Sequence, residues 1–203
     1  TSSTTLAGNA PTVGTGIWTR ISGTGTATTS SAPTSSVTGL ALGSSVYQWS
    51  ITNGVCPSST DQVTLTVDPN PTPANAGPNQ TICSASAVFA GNIPAIGTGM
   101  WTLISGAGTI TNATSPTSPV NGLGVGTNTF QWTISSGSCP SSSDQVNIIV
   151  DANPTTSNAG PDQTICSSSS AFAANVPAIG SGVWTLISGT GTIAVPSSAT
   201  STV

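Results

Sequence analysis

Four cysteines, Cys56, Cys83, Cys139 and Cys166, are the residues of this chain best equipped for chemistry, and their spacing limits what that chemistry is. Cys56 and Cys139 lie 83 residues apart, as do Cys83 and Cys166. There is no His, and the cysteines are too scattered for a zinc-binding spacing. Two cysteines per 83 residues, with no metal-ligand companions, read as a disulfide framework in an oxidising compartment. The expected bridge joins Cys83 to Cys139, with Cys56 and Cys166 paired to cysteines outside this window. Closing that loop would stabilise a domain by roughly 4 kcal/mol in the chain-entropy model, comparable to the whole margin of a small fold. Two alternatives stand. An early-strand cysteine and a late-hairpin cysteine can lie at opposite ends of a sandwich, and the bridge would then join adjacent repeats. Free reactive thiols are the third reading, disfavoured because nothing cationic lies nearby in sequence to lower a thiol pKa.

The aspartates are the next candidates. Asp68 and Asp151 occupy equivalent positions and Asp162 follows the second, so junctional carboxylates could hold Ca²⁺. Such sites want six to eight oxygens and usually several carboxylates. Asn79 stands where the next repeat has Asp162, so solvated linker aspartates are the preferred account. No cofactor is expected, with Ca²⁺ at the junctions as the lesser alternative.

Catalysis finds little to work with. A serine nucleophile needs a His or Lys base, and the chain has neither. Gly97-Thr98-Gly99 and Gly106-Ala107-Gly108 lack the Lys and the helix of a phosphate loop and read as hairpin turns. An enzyme is therefore not expected. Arg20 is the sole basic residue, so no nucleic-acid partner is expected either. No run approaches the ~18 apolar residues of a spanning helix, and no membrane insertion is expected of this segment. Ser and Thr, the commonest residue types, must hydrate the surface in place of ions. With so little like-charge repulsion, lateral self-association into filaments or bundles is an expected partnership, beside contact with neighbouring repeats of the same chain.

The elements that position these residues repeat with the cysteines. Trp18, Trp101 and Trp184 fall in the same 83-residue register, as do Trp49 with Trp132 and Asp61 with Asp144. A constant period of this length means one small autonomous unit strung many times. The reading divides the chain into copy 1 (1–68, N-terminally truncated), copy 2 (69–151, complete) and copy 3 (152–203, C-terminally truncated), a window on a longer polypeptide. Five Trp at strand-like positions argue against disorder in a chain otherwise rich in Ser, Thr, Gly and Pro.

Helix signals are nearly absent, and short alternating runs recur. Phe130, Trp132 and Ile134 share one face of a strand, and Val146, Ile148 and Val150 share one face of the next, as do Val63, Leu65 and Val67 a copy earlier. Residues 87–90, 100–104 and 109–110 read as further strands, and Pro116 and Pro119 mark a loop or an edge strand. The count is about seven strands per repeat, so the fold class is all-β: a tandem array of small β-sandwich domains with Greek-key connections. The core is expected to hold Trp18, Trp49, Trp101, Trp132 and Trp184; a carbohydrate-stacking role is the alternative for these rings. Asp68 to Pro78, with alternating prolines, reads as a semi-rigid polyproline spacer between copies. The array is then a stiff rod advancing roughly 35 to 45 Å per repeat.

The segment Asn75-Ala76-Gly77-Pro78-Asn79-Gln80-Thr81-Ile82-Cys83, its variant at 158–166, and Gln131-Trp132-Thr133-Ile134-Ser135-Ser136-Gly137-Ser138-Cys139-Pro140 resemble the PKD-like and Ig-like repeats of giant secreted surface adhesins of gliding Bacteroidota, the SprB-like class. The resemblance covers the whole chain. It implies type IX secretion, an outer-cell-surface location, and a stalk segment of a cell-adhesion protein or filament that projects a distant binding tip, in gliding motility or surface attachment. The alternative is a multivalent module with a weak glycan- or surface-binding site in each repeat.

Overall fold

The computed structural model describes residues 2–203. Copy 1 contributes β1 (Ser2–Thr5), β2 (Thr15–Ser22), β3 (Thr26–Ala27), β4 (Ser36–Leu40), β5 (Gly43–Thr52) and β6 (Ser59–Val67). Copy 2 contributes β7 (Gln80–Ile82), β8 (Ser86–Val88), β9 (Thr98–Ser105), β10 (Thr109–Ile110), β11 (Pro119–Asn121), β12 (Gly126–Ser135) and β13 (Ser142–Val150). Among the described residues there is no helix. Copy 2 thus has seven strands, in a three-stranded sheet ordered β10-β11-β8 and a four-stranded sheet ordered β7-β13-β12-β9. Copy 1 repeats the plan as β1-β4-β3 and β2-β5-β6. The fold is the two-sheet sandwich that the alternation predicts, of the Ig-like and PKD-like kind that the resemblance implies.

Period-two patterning accounts for the register. Gly126 to Ile134 pair antiparallel with Val150 to Ser142, which puts Phe130, Trp132, Ile134, Val146, Ile148 and Val150 on one inward face, all buried. β7 joins the other edge of β13 in parallel, with Gln80 opposite Ile148 and Ile82 opposite Val150. In copy 1 the counterparts Val63, Leu65 and Val67 are half-buried, because the described residues there include no strand matching β7.

Each copy has its own core. Trp101 and Trp132 face each other across β9 and β12 on the same sheet, with ring centroids 5.0 Å apart. The ring that closes on them is Phe89, just past β8: it stacks on Trp101 at 4.0 Å and meets Phe130 edge-on at 5.0 Å. Burying each indole removes on the order of 150 to 250 Å² from water, a large share of so small a domain's stability. Copy 1 reproduces the pair with Trp18 and Trp49 at 5.0 Å, and Leu6 fills the Phe89 position.

Two local expectations change. Pro119 begins β11, the central strand of its sheet and not an edge. As first residue of the strand its missing N–H costs no ladder bond, while its carbonyl accepts the Thr111 N–H at 3.0 Å. The spacer is also shorter than its prolines imply. From Thr72 onward it docks on copy 2: Thr72 N–H donates to the Ile96 carbonyl at 3.0 Å, Ala74 N–H to Ser142 Oγ at 2.9 Å, and Ala76 N–H to Asp144 Oδ2 at 2.8 Å. Ala76 itself is buried in the copy 2 core.

Residues 152–203 contain no regular strand, only a bridge between Ala171 and Thr202. Phe172 nevertheless stacks on Trp184 at 4.1 Å, and the Trp184 Nε1–H donates to the Ser198 carbonyl at 3.0 Å. Trp184 is half-buried here, because the strand that carries Trp132 in copy 2 has no counterpart within this segment.

Candidate functional site

Two of the chemistry-bearing residues, Asp68 and Cys139, meet at the joint between copies 1 and 2. β6 ends at Val67, and Asp68 lies against the turn between β12 and β13. Its Oδ2 accepts the Ser138 N–H at 2.9 Å and the Ser138 O–H at 3.0 Å, while Cys139 Sγ lies 3.3 Å from the Asp68 carbonyl oxygen. The turn is built for this approach. Gly137 has φ 50°, and a Cβ there would run into the Asp68 carboxylate. The Ser138 amide and then its hydroxyl hold the Asp68 carboxyl below the usual carboxylate range. Copy 1 has the same turn, with Gly54 at φ 56°, but Val55 in place of Ser138.

The aspartates serve as acceptors. Asp68 clasps the next copy, and Asp144 receives the linker amide of Ala76. Among the described residues no group of three or more His, Cys, Asp or Glu side chains is placed to hold a metal ion.

The expected Cys83–Cys139 bridge does not form: all four cysteines carry free thiols. The reason is topological. Cys139 precedes the start of β13, whereas Cys83 follows β7, whose last residue pairs with the last residue of β13. The nine residues of β13 set them apart by about 30 Å at ordinary strand rise, far beyond disulfide reach.

The indoles point inward. Trp18, Trp49, Trp101 and Trp132 are all buried, and Trp101 Nε1–H donates to the Pro116 carbonyl at 3.2 Å as Trp18 Nε1–H does to Pro33 at 3.1 Å. The buried Nε1–H groups of Trp49 and Trp132 find no acceptor. Trp132 lies flat over Gly99, where any Cβ would overlap its ring, and Gly16 makes the same room for Trp49. A groove beside Trp184, lined by Pro154, Ala174 and Ser197, occupies the place that the Trp132 indole fills in copy 2. It is open because the strand that carries Trp132 in copy 2 has no counterpart within this segment.

Sequence reading missed Ser138, Phe89 and Ser118. Ser118 is buried, and its Oγ accepts the Asn112 N–H at 2.9 Å. Recurrence is the signal that could have found it: Ser35 and Ser201 stand in register and make the same bond.

No family model matches the chain, and no curated protein matches it. Among solved structures, the PKD domain from the KIAA 1837 protein is similar over 45% of this chain and 92% of its own, at 27% identity and TM-score 0.35. The insect immune protein hemolin is similar over 70% of this chain at 13% identity and TM-score 0.33. The human desmocollin-1 ectodomain is similar over 83% at 10% identity and TM-score 0.30. The chain spans 40% of the length of each of the last two. The class is defined by the molecule's own strand order: a β-sandwich repeat whose exit strand locks onto the hairpin turn of the copy that follows.

Among the described residues, no helix is long and apolar enough to cross a membrane.

Proposed function

We propose that this chain is a non-catalytic stalk segment of an extracellular adhesin or cell-surface filament, which projects a binding tip carried elsewhere in the parent polypeptide. The observation that carries the reading is the braced joint: Asp68 grips Ser138, and the linker beyond Thr72 is hydrogen-bonded into the next sandwich. Such a joint resists bending, as a load-bearing spacer requires. A role in gliding and export by the type IX route rest on the sequence resemblance alone.

A row of exposed apolar residues recurs on every copy and favours lateral contact between rods. Ile17 and Ile21, Met100 and Ile104, and Val183 and Ile187 stand in the same register and are all exposed. In β9 they lie on the outer side of an uncharged strand at the sheet edge. The alternative, a weak glycan- or surface-binding site on each copy, would have to use this same row, since the indoles of copies 1 and 2 are inside.

Electron microscopy of a chain of many consecutive repeats tests the reading. Straight rods with an axial period of roughly 35 to 45 Å are expected. Freely jointed beads would overturn it, and saturable polysaccharide binding lost on Met100→Ser would favour the glycan alternative.

A further inference from the structure

Two cysteine positions that are remote within one copy converge across the joint. In copy 2, β7 ends at Ile82 opposite Val150, and the Ile82 carbonyl accepts the Asp151 N–H at 2.8 Å, which sets Cys83 beside Asp151. Asp151 is the 83-residue counterpart of Asp68. Against Asp68 rests the other kind of cysteine, Cys139 of the following copy, with Sγ 3.3 Å from the Asp68 carbonyl oxygen. The terminal aspartate of a copy is therefore adjacent to both positions, the strand-end cysteine of its own copy and the turn cysteine of the next. Neighbouring strands run about 5 Å apart. A disulfide spans Cα separations of about 4.4 to 6.8 Å.

A second observation places the same pair independently. The groove at the joint is lined by Ser3, Thr4, Thr66, Asp68 and Cys139. Ser3 and Thr4 correspond to Ser86 and Ala87, which follow Cys83 by three and four residues. The copy 1 segment equivalent to the one that trails Cys83 in copy 2 thus shares a groove with Cys139.

We propose that successive copies are stapled by disulfides between the strand-end cysteine of one copy (Cys83, Cys166) and the turn cysteine of the next (Cys56, Cys139). In this register Cys83 and Cys139 are never partners. Each staple forms one S–S bond from two thiols. The two protons and two electrons given up pass to a protein or small-molecule disulfide, whose S–S bond breaks to give two thiols. The inference rests on the end-to-end joint and not on the stalk reading.

The test extends the chain ahead of Thr1 by Gln-Thr-Ile-Cys, the residues of β7 and the cysteine that follows it. Under oxidised glutathione the free-thiol titre should fall by two per chain. Non-reduced chymotryptic peptides should then show the added cysteine joined to Cys139, a link lost in Cys139→Ser and kept in Cys83→Ser. A chain of three consecutive copies of residues 69–151 gives a second reading, with bridges expected only from each strand-end cysteine to the turn cysteine one copy later. The proposal is overturned by an added cysteine that stays free, by one that pairs equally with Cys83, or by bridges within single copies. Rods in the microscope without these links would sink the staple and leave the stalk reading intact; links without rods would do the reverse.

Discussion

Trp101 and Trp132 lie directly opposite each other on neighbouring strands, their rings tilted by 38°. The arrangement exists because position 99 has no side chain: the Trp132 ring occupies the space a Cβ would need. Replacing Gly99→Ala should therefore cost about 3 kcal/mol, at the upper end of ordinary overpacking, by driving the indole out of its rotamer. Denaturant unfolding followed by Trp fluorescence checks this. A loss under about 0.5 kcal/mol, the range of surface changes, would show that the strand bends away freely.

Phe89 closes the cluster from the opposite sheet, so Phe89→Ala should cost about 3 to 5 kcal/mol. Phe89→Leu should cost far less, about 1 kcal/mol for the lost stacking, because copy 1 already folds around Leu6 at this position. Comparing the two midpoints separates loss of volume from loss of ring contact.

Asp68 gives the joint a pH dependence whose sign is fixed. The carboxyl is held below its ordinary value of about 3.9 by the Ser138 amide and hydroxyl. The clasp is then fully present above that ordinary value and is lost as pH falls through the lowered one. The Ser138 amide resonance, followed by NMR from pH 6 downward, should shift in the acid limb only. Asp68→Asn should abolish the titration while both sandwiches stay folded. A Ser138 titration that survives in Asp68→Asn would assign the effect to another group.

Cys83→Ser should leave the thermal stability of this chain within about 0.5 kcal/mol of its starting value, since Cys83 is exposed and bonded to nothing. The same substitution in an array of complete copies should lower it. Calorimetry on both chains distinguishes a joint cysteine from a core one.

Alternation made the long hairpin legible. Phe130, Trp132 and Ile134 sit two residues apart, and period two assigns them to one face whatever the tertiary context. The disulfide partners were not legible, because spacing along a chain does not say at which end of a strand a residue emerges. That depends on β7 running parallel to β13, which no local pattern encodes. The clasp was hidden for a similar reason: Asp68 and Ser138 are 70 residues apart and belong to different copies. Pro119 misled because its lost donor, and not its place as first residue of a strand, governed the reading.

The parallel run of β7 beside β13 has a mechanical meaning. A pull on the ends of copy 2 drags the segment leading into β7 backward and the exit of β13 forward, so the two strands are asked to slide past one another. Their hydrogen bonds are then strained together and must break at once, instead of opening in turn like a zipper. A unit loaded in shear in this way yields late and abruptly, which suits a tether that must hold through brief tugs.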